Sequence, residues 1–211
     1  MNPRPPDPAA ILASVQGVLA GAQEQGFLGP GPLEEHVIRA LDLARAVPEA
    51  PGTAIDLGSG GGVPGLPLAL LWSDSTWVLL DGSTKRVRFL QQAVDGLGMA
   101  GRVRAVESRA ETAARTGLRG SFDLAVARGF AGPAVTAECG AAFLRVGGLM
   151  VVAEPPGGAP ERWDEGGLAE LGMRVGDTLR SPTACQVLHQ EHPCPDRYPR
   201  RVGIPAKRPL W

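Results

Sequence analysis

The chain has 211 residues, of which 44% are hydrophobic and 20% charged, and its formal net charge is −1. This length suits a single globular domain with a sizeable core. The near-zero charge excludes a protein that binds polyanions over its whole surface, so any contact with nucleic acid must use a local basic patch.

The sequence contains none of the common patterns for a disulfide framework, a metal site or a membrane segment. Its three cysteines are widely spaced, and they do not combine with the three histidines into a zinc pattern. The N-terminus lacks the basic segment of a signal peptide, and its apolar stretch is interrupted at Gln16 and Gly17. We therefore expect a cytoplasmic protein that has reduced thiols and uses neither a metal nor a membrane.

Two helices are predicted before the first strand. Residues 1–8 are rich in proline and are expected to be disordered. Apolar residues recur at helical spacing over 11–19 and again over 33–41. We interpret residues 1–48 as a helical extension that precedes a domain over 49–211.

A glycine-rich loop follows the first predicted strand, which covers Thr53 to Leu57. A helical pattern resumes beyond the loop at Leu66. Glycine lets the backbone take positive φ and approach a ligand closely, and the N-terminus of the following helix directs free N–H groups toward that ligand. The dinucleotide pattern Gly-x-Gly-x-x-Gly fails because Val63 occupies its last position. The loop is therefore predicted to bind something other than a dinucleotide.

An acidic residue lies near the end of each of the first two predicted strands. Asp56 stands just before the glycine loop, where a carboxylate suits a cationic amino group better than a pyrophosphate. S-adenosylmethionine (SAM) carries such an amino group, together with a carboxylate and a sulfonium. Asp81 ends the strand over 76–81, at about the place where dinucleotide-binding units carry the acid that binds the ribose. We predict that both acids bind SAM, although Asp81 is also suited to cap the helix that begins near Thr84.

Strand and helix patterns alternate through the rest of the chain. Further strands are predicted over 102–107, 122–128, 149–153, 173–179 and 184–189, and helices over 84–97, 133–144 and 162–171. Several of these strands are almost entirely apolar, as is typical of a parallel sheet that is covered on both faces. The sequence therefore predicts an α/β fold with a seven-stranded, doubly wound sheet.

Arg128 is the candidate for binding the methyl acceptor, because it ends the fourth predicted strand and ligands of open α/β sheets lie beyond the carboxyl ends of the strands. A guanidinium can hold a phosphate or a guanine edge in a fork. Methyl transfer to an atom with a lone pair requires orientation rather than a base. Arg128 therefore suits an acceptor such as guanine N7, although it is also suited to a structural pair with a carboxylate. His36 in the second helix is interpreted as structural.

Several segments resemble the bacterial 16S rRNA guanine-N7 methyltransferase family, also called small-subunit methyltransferase G or glucose-inhibited division protein B. The Pro-Gly-Leu-Pro extension over 64–67, directly after the glycine loop, is specific to that family. The resemblance covers residues 29–211, with gaps between 154 and 190. Its segments are Gly29-Pro30 with His36, residues 56–68 (DLGSGGGVPGLPL), Leu80-Asp81 with 85–90, Ser108 to Glu111, 122–131 and the tail 197–205.

The resemblance implies a Rossmann-like, class I SAM-dependent methyltransferase that acts on 16S rRNA or on the small ribosomal subunit. It implies Arg128 and Arg109 as catalytic residues. It also implies a cofactor site made of Asp56, Gly58, Ser59, Gly60, Gly62, Asp81, Ala110 and Glu111. Arg128 would also contact the RNA substrate near the reacting centre. The basic tail would contact RNA phosphates through Arg197, Arg200, Arg201, Lys207 and Arg208.

The sequence departs from the family pattern on both sides of the expected acceptor site. Glu35 and Arg39 replace a basic and a small polar residue around His36, and Glu154-Pro155 replaces a Lys-Gly pair after the fifth strand. Two alternative functions are therefore kept. One is a methyltransferase of the same fold that acts on a small molecule or on another RNA site, and the other is a non-catalytic protein that binds SAM or RNA.

Overall fold

One sheet organises the computed structural model, which describes residues 7–156, 159–180 and 182–211. Within these ranges the sheet has seven strands in the order β3-β2-β1-β4-β5-β7-β6. The first five run parallel, and β7 is antiparallel to both β5 and β6. The strands are β1 Thr53–Leu57, β2 Thr76–Asp81, β3 Val103–Glu107, β4 Phe122–Ala127, β5 Leu144–Ala153, β6 Met173–Leu179 and β7 Cys185–Gln190. The predicted seven-stranded α/β fold is confirmed.

Helices cover both faces of the sheet, because successive side chains of a strand point to opposite faces. Ile55 of β1 packs in one core cluster with Phe143 and Leu168, whereas Ala54 packs in another with Leu66 and Leu90. The helices are α1 Pro8–Glu24, α2 Leu33–Ala44, α3 Gly65–Leu71, α4 Thr84–Gly96, α5 Ala110–Ala113, α6 Pro133–Ala141, α7 Glu165–Glu170 and α8 Ile204–Lys207, with a 3₁₀ turn at Pro160–Arg162.

The N-terminal helices pack onto the glycine loop and its helix. Val15 and Val37 share a buried cluster with Val63 of the loop. The expectation that residues 1–8 are disordered is wrong for Asp7 and Pro8. Helix α1 begins at Pro8, and Asp7 caps it by accepting a hydrogen bond from the Ala9 N–H (3.0 Å). Residues 1–6 lie outside the described ranges. The division of the chain after residue 48 stays a prediction.

The fifth strand begins earlier than its apolar pattern indicates, at Leu144 instead of residue 149, and α6 accordingly ends at Ala141. The strand passes through Gly147 and Gly148, and its pairing with β4 shifts register there. A side chain at Gly148 would bring its Cβ to 3.0 Å from the Phe122 carbonyl oxygen. The glycines therefore act as a close-packed irregularity within the strand and not as a turn before it.

Candidate active site

The glycine loop is fixed at the carboxyl ends of β1 and β2. The N–H groups of Gly58 and Ser59 both donate to the Leu80 carbonyl, at 2.8 and 3.0 Å. Gly58, Gly60 and Gly62 all have positive φ, at 68°, 55° and 91°. A Cβ at Gly58 would lie 2.8 Å from the Phe130 ring. Side chains are therefore excluded from the surface that the loop presents.

Asp56 lies beneath this loop and is almost completely buried. Its Oδ2 accepts a hydrogen bond from the N–H of Gly65, the first residue of α3, at 3.0 Å. Its Oδ1 has no hydrogen-bond partner among the described residues. Burial raises the pKa of Asp56 to about 7, although the hydrogen bond from Gly65 and the positive charge of Arg128 act in the opposite direction. This unsatisfied acceptor fits a nearby cation such as the amino group of SAM.

Asp81 joins β2 to the glycine loop. Its Oδ2 accepts from the Gly60 N–H at 3.0 Å, and its Oδ1 accepts from the Ser83 N–H at 2.9 Å. The second bond fixes Ser83, the N-cap residue of α4, so Asp81 also contributes to the start of this helix. Each carboxylate oxygen has a further lone pair, and these can accept the two hydroxyl groups of a ribose.

A cleft of about 200 Å³ opens beside Asp81. Of the predicted cofactor residues it brings together Gly58, Asp81, Ala110 and Glu111, and it is closed on one side by Phe130. Gly58 of the positive-φ loop and the acid at the end of β2 fit the groups of SAM, and we call this space the cofactor cleft.

Four predicted cofactor residues do not line this cleft, namely the buried Asp56 together with Ser59, Gly60 and Gly62. Gly60 contributes through its hydrogen bond to Asp81, and Gly62 donates to the Ser59 carbonyl at 2.7 Å within the loop. The buried Ser59 hydroxyl donates to the Asp56 carbonyl at 3.1 Å. These contacts shape the loop from within.

A second, larger cavity of about 420 Å³, which we name the acceptor cavity for the role proposed for it, lies on the other side of Phe130 and Ala131, which line both spaces. Arg128, which the sequence predicts to meet the methyl acceptor, lines this cavity. Arg109 does not, because it lines the cofactor cleft, where its Nε lies 3.8 Å from Glu111 Oε2. The two predicted catalytic arginines are therefore separated.

His36 is part of the acceptor cavity, although helical spacing alone favours a structural role. Its Nε2 donates to the Gly29 carbonyl at 3.1 Å, which leaves Nδ1 as an acceptor 3.4 Å from Arg128 Nη1. Burial and the charge of Arg128 lower the pKa of His36, so the neutral ring is favoured. Arg39, Arg162 and Trp163 also line the cavity, and nothing in the periodicity of the sequence indicates that they do.

The basic tail divides into exposed and structural residues. Arg197, Arg201 and Lys207 are exposed. Arg200 instead makes a bidentate pair with the fully buried Glu138 on α6, with Nη2 donating to Oε2 at 2.6 Å and Nε to Oε1 at 2.9 Å. This contact attaches the tail to the domain, and it removes Arg200 from the set of cations that face outward.

A family model described as rRNA small subunit methyltransferase G (GidB) matches residues 30–154. The chain belongs to this family. A ribosomal RNA small subunit methyltransferase G from Rubrobacter xylanophilus is 37% identical and covers 95% of this chain and 83% of its own length. The protein of that name from Moorella thermoacetica is 41% identical, over 83% of this chain and 77% of its own length. The assignment confirms a SAM-dependent methyltransferase.

The fold is shared well beyond the family. The branched-chain polyamine synthase of Thermus thermophilus has a TM-score of 0.64 at 18% identity, over 86% of this chain and 64% of that one. In the part of the present chain that the structure describes, no group of three or more His, Cys, Asp or Glu side chains is placed to hold a metal ion. No described helix is long and apolar enough to cross a membrane.

Replacing Asp81 with alanine is expected to weaken SAM binding about 5- to 150-fold, because the ribose and the Gly60 N–H both lose their acceptor (about 1–3 kcal/mol). Titration calorimetry measures the affinity. The matched control is Asp95→Ala, whose exposed carboxylate on α4 bonds only to Gln91 among the described residues. Equal affinities for the wild type and Asp81→Ala would place the cofactor elsewhere.

Replacing Arg200 with alanine is expected to lower the free energy of unfolding by about 3 kcal/mol, because it leaves the buried Glu138 carboxylate without its partner. Denaturant unfolding measures this loss. The neighbouring exposed Arg201→Ala is the control and is expected to change stability by less than about 0.5 kcal/mol. Similar values for the two variants would contradict the structural role of Arg200.

The lowered pKa of His36 predicts a dependence of stability on pH. The unfolded chain takes up a proton near pH 6.5, whereas the folded protein resists it until a lower pH, so stability falls as the pH drops through that window. The slope due to one proton cannot exceed about 1.4 kcal/mol per pH unit. Denaturation at a series of pH values should show a shallower slope for His36→Asn than for the exposed-residue control His192→Asn. Identical slopes would contradict the prediction.

Proposed function

We propose that the protein transfers the methyl group of SAM to N7 of a guanine in 16S rRNA, in the cytoplasm. The observation that carries the proposal is the common wall of the two cavities. Phe130 and Ala131 line both the cleft that fits SAM and the cavity that contains Arg128. An acceptor in the larger cavity is therefore adjacent to the methyl donor. Membership of the family supports rRNA as that acceptor.

The polar groups of the acceptor cavity suit a nucleophile that has no proton to lose. Bound SAM supplies an electrophilic methyl group, and guanine N7 has a free lone pair, so the transfer requires no base. Glu154 is the carboxylate that lines the cavity, and both of its oxygens are occupied, by Arg162 Nη1 at 2.6 Å and by Trp163 Nε1 at 3.1 Å. Burial raises the pKa of the Cys139 thiol to about 12, so this residue of the adjoining cleft is not a nucleophile.

Arg128 is suited to orient the base. Its guanidinium can donate to guanine O6 and leave N7 free to react. Burial lowers the pKa of Arg128, whereas the charge of Asp56 raises it. A partly desolvated guanidinium forms a stronger hydrogen bond to a bound base than an exposed one does. The Phe130 ring at the boundary can stack on the base. Positioning of this kind is the main contribution that the chain can make to an in-line displacement.

The exposed tail favours a large anionic acceptor. The tail follows β7 in the chain and exposes three cations, Arg197, Arg201 and Lys207. Glu111 accepts from the Gly203 N–H at 2.9 Å, and this bond holds the tail beside the cofactor cleft. Cations arranged along such a surface match RNA phosphates. A small-molecule acceptor or a non-catalytic role is not favoured, because neither accounts for both the family membership and this tail.

The test uses purified protein, SAM labelled in the methyl group, and 16S rRNA or small subunits from a strain that lacks the gene. Label is expected in 7-methylguanosine at one position. Arg128→Ala should lower the turnover number roughly 100-fold while SAM affinity stays within about twofold, because one orienting donor is lost. The control is Arg145→Ala, an exposed arginine paired with Asp123 near the amino ends of β4 and β5.

Methylation at another atom, or none in either substrate, would overturn the proposed reaction. A parallel loss of SAM binding and turnover in Arg128→Ala would assign that arginine a structural role.

A further inference from the structure

The wall of the acceptor cavity opposite α2 contains an arginine that the proposed reaction does not use. Arg162 ends the 3₁₀ turn after β5 and lines the cavity together with Arg128 and Arg39. Among the described lining residues, these three guanidinium groups face a single carboxylate, that of Glu154. The cavity is therefore cationic and attracts an anion.

Arg162 is held in place by a buried carboxylate. The Glu154 side chain is 2% exposed, and its Oε2 accepts from Arg162 Nη1 at 2.6 Å. The indole N–H of Trp163, which is itself buried, donates to the other oxygen at 3.1 Å. Glu154 therefore cannot rotate freely, and it fixes the direction of the guanidinium.

The backbone of Arg162 is anchored as well. Its carbonyl accepts from the Trp211 indole N–H at 3.0 Å, and the Trp211 ring lies directly against Gly167 of α7. By contrast, Arg39 pairs with Glu35 on the surface, where both side chains are more than half exposed. An exposed pair of that kind has little orienting value.

The remaining donors of Arg162 are suited to an oxyanion. A guanidinium has five N–H donors, and among the described residues Glu154 is the only acceptor found for this one. Its side chain is 38% exposed, so the group lies at the mouth of the cavity rather than at its base. A fork of donors fixed at the mouth matches a phosphate, which also carries two adjacent acceptor oxygens.

We propose that Arg162, oriented by Glu154, binds a backbone phosphate of the RNA next to the acceptor guanine, while Arg128 contacts the base itself. This inference rests on the proposed function. It makes Arg162 a substrate-binding residue and Glu154 a positioning residue. In this arrangement the carboxylate does not oppose the RNA, because its charge is used to direct the arginine.

The experiment measures binding of deproteinised 16S rRNA, without SAM, over a series of KCl concentrations. Arg162→Gln is expected to weaken binding about tenfold and to lower the slope of log affinity on log salt by roughly 0.7–0.9, the value for one lost phosphate contact. Glu154→Gln keeps the cation, so its slope should stay unchanged while its affinity falls about threefold. SAM affinity should be unaltered in both variants.

The matched control is Arg174→Gln, which breaks the exposed Arg174–Glu191 pair (2.7 Å) on β6, away from the cavity. A slope for Arg162→Gln equal to that of the wild type or of this control would overturn the proposal. If Arg162→Gln fails to fold, Arg162→Lys replaces it: a retained slope with weaker binding supports the phosphate contact, and a lost slope overturns it.

The two proposals fail in different ways. Because binding is measured without turnover, a salt slope that depends on Arg162 supports the phosphate contact even if the methyl group goes to another atom. If guanine N7 is methylated but the slope does not depend on Arg162, only the phosphate contact is rejected.

Discussion

The active site depends on the attachment of one backbone loop to the neighbouring strand. Gly58 and Ser59 donate to the Leu80 carbonyl, and Gly60 donates to the Asp81 carboxylate, so the loop after β1 is fixed against the end of β2. The parallel register of these strands, which pairs Leu57 with Leu80, brings the two segments together. A backbone fixed in this way can present N–H groups without having to reorganise when a ligand binds.

This loop also determines how the two cavities are separated. Because Gly58 has no side chain, the Phe130 ring packs against the loop and forms the boundary between the two cavities. The residues after β4 therefore belong to both sites at once. The second N-terminal helix completes the larger cavity, since α2 contributes His36 and Arg39 and its Asp42 accepts from the Thr183 hydroxyl at 2.8 Å.

Each arginine of the acceptor cavity is oriented differently. Arg128 is half-buried beside a neutral histidine, Arg162 is fixed by a buried carboxylate, and Arg39 is paired at the surface. Desolvation strengthens the hydrogen bonds of the first, and the ion pair gives the second a defined direction. Glu154 stands where the family pattern has a lysine, so the resemblance alone indicates a negative charge in place of a positive one. Arg162, eight residues further on, neutralises that negative charge.

The sequence by itself determined the succession of strands and helices along the chain, the glycine loop and its two acids. Buried strands and tight turns leave local signals in the sequence, which are apolar runs and clusters of glycine. It also indicated Arg128, which follows directly from the position of β4. Only the tertiary structure decided which side chains meet. His36 and Arg128 are 92 residues apart, and Arg200 and Glu138 are 62 apart. Contacts at such separations depend on how the helices pack across the sheet, which no local pattern specifies. Only the fold therefore showed that Arg200 is structural while other tail cations are exposed, and that α2 lines the acceptor cavity.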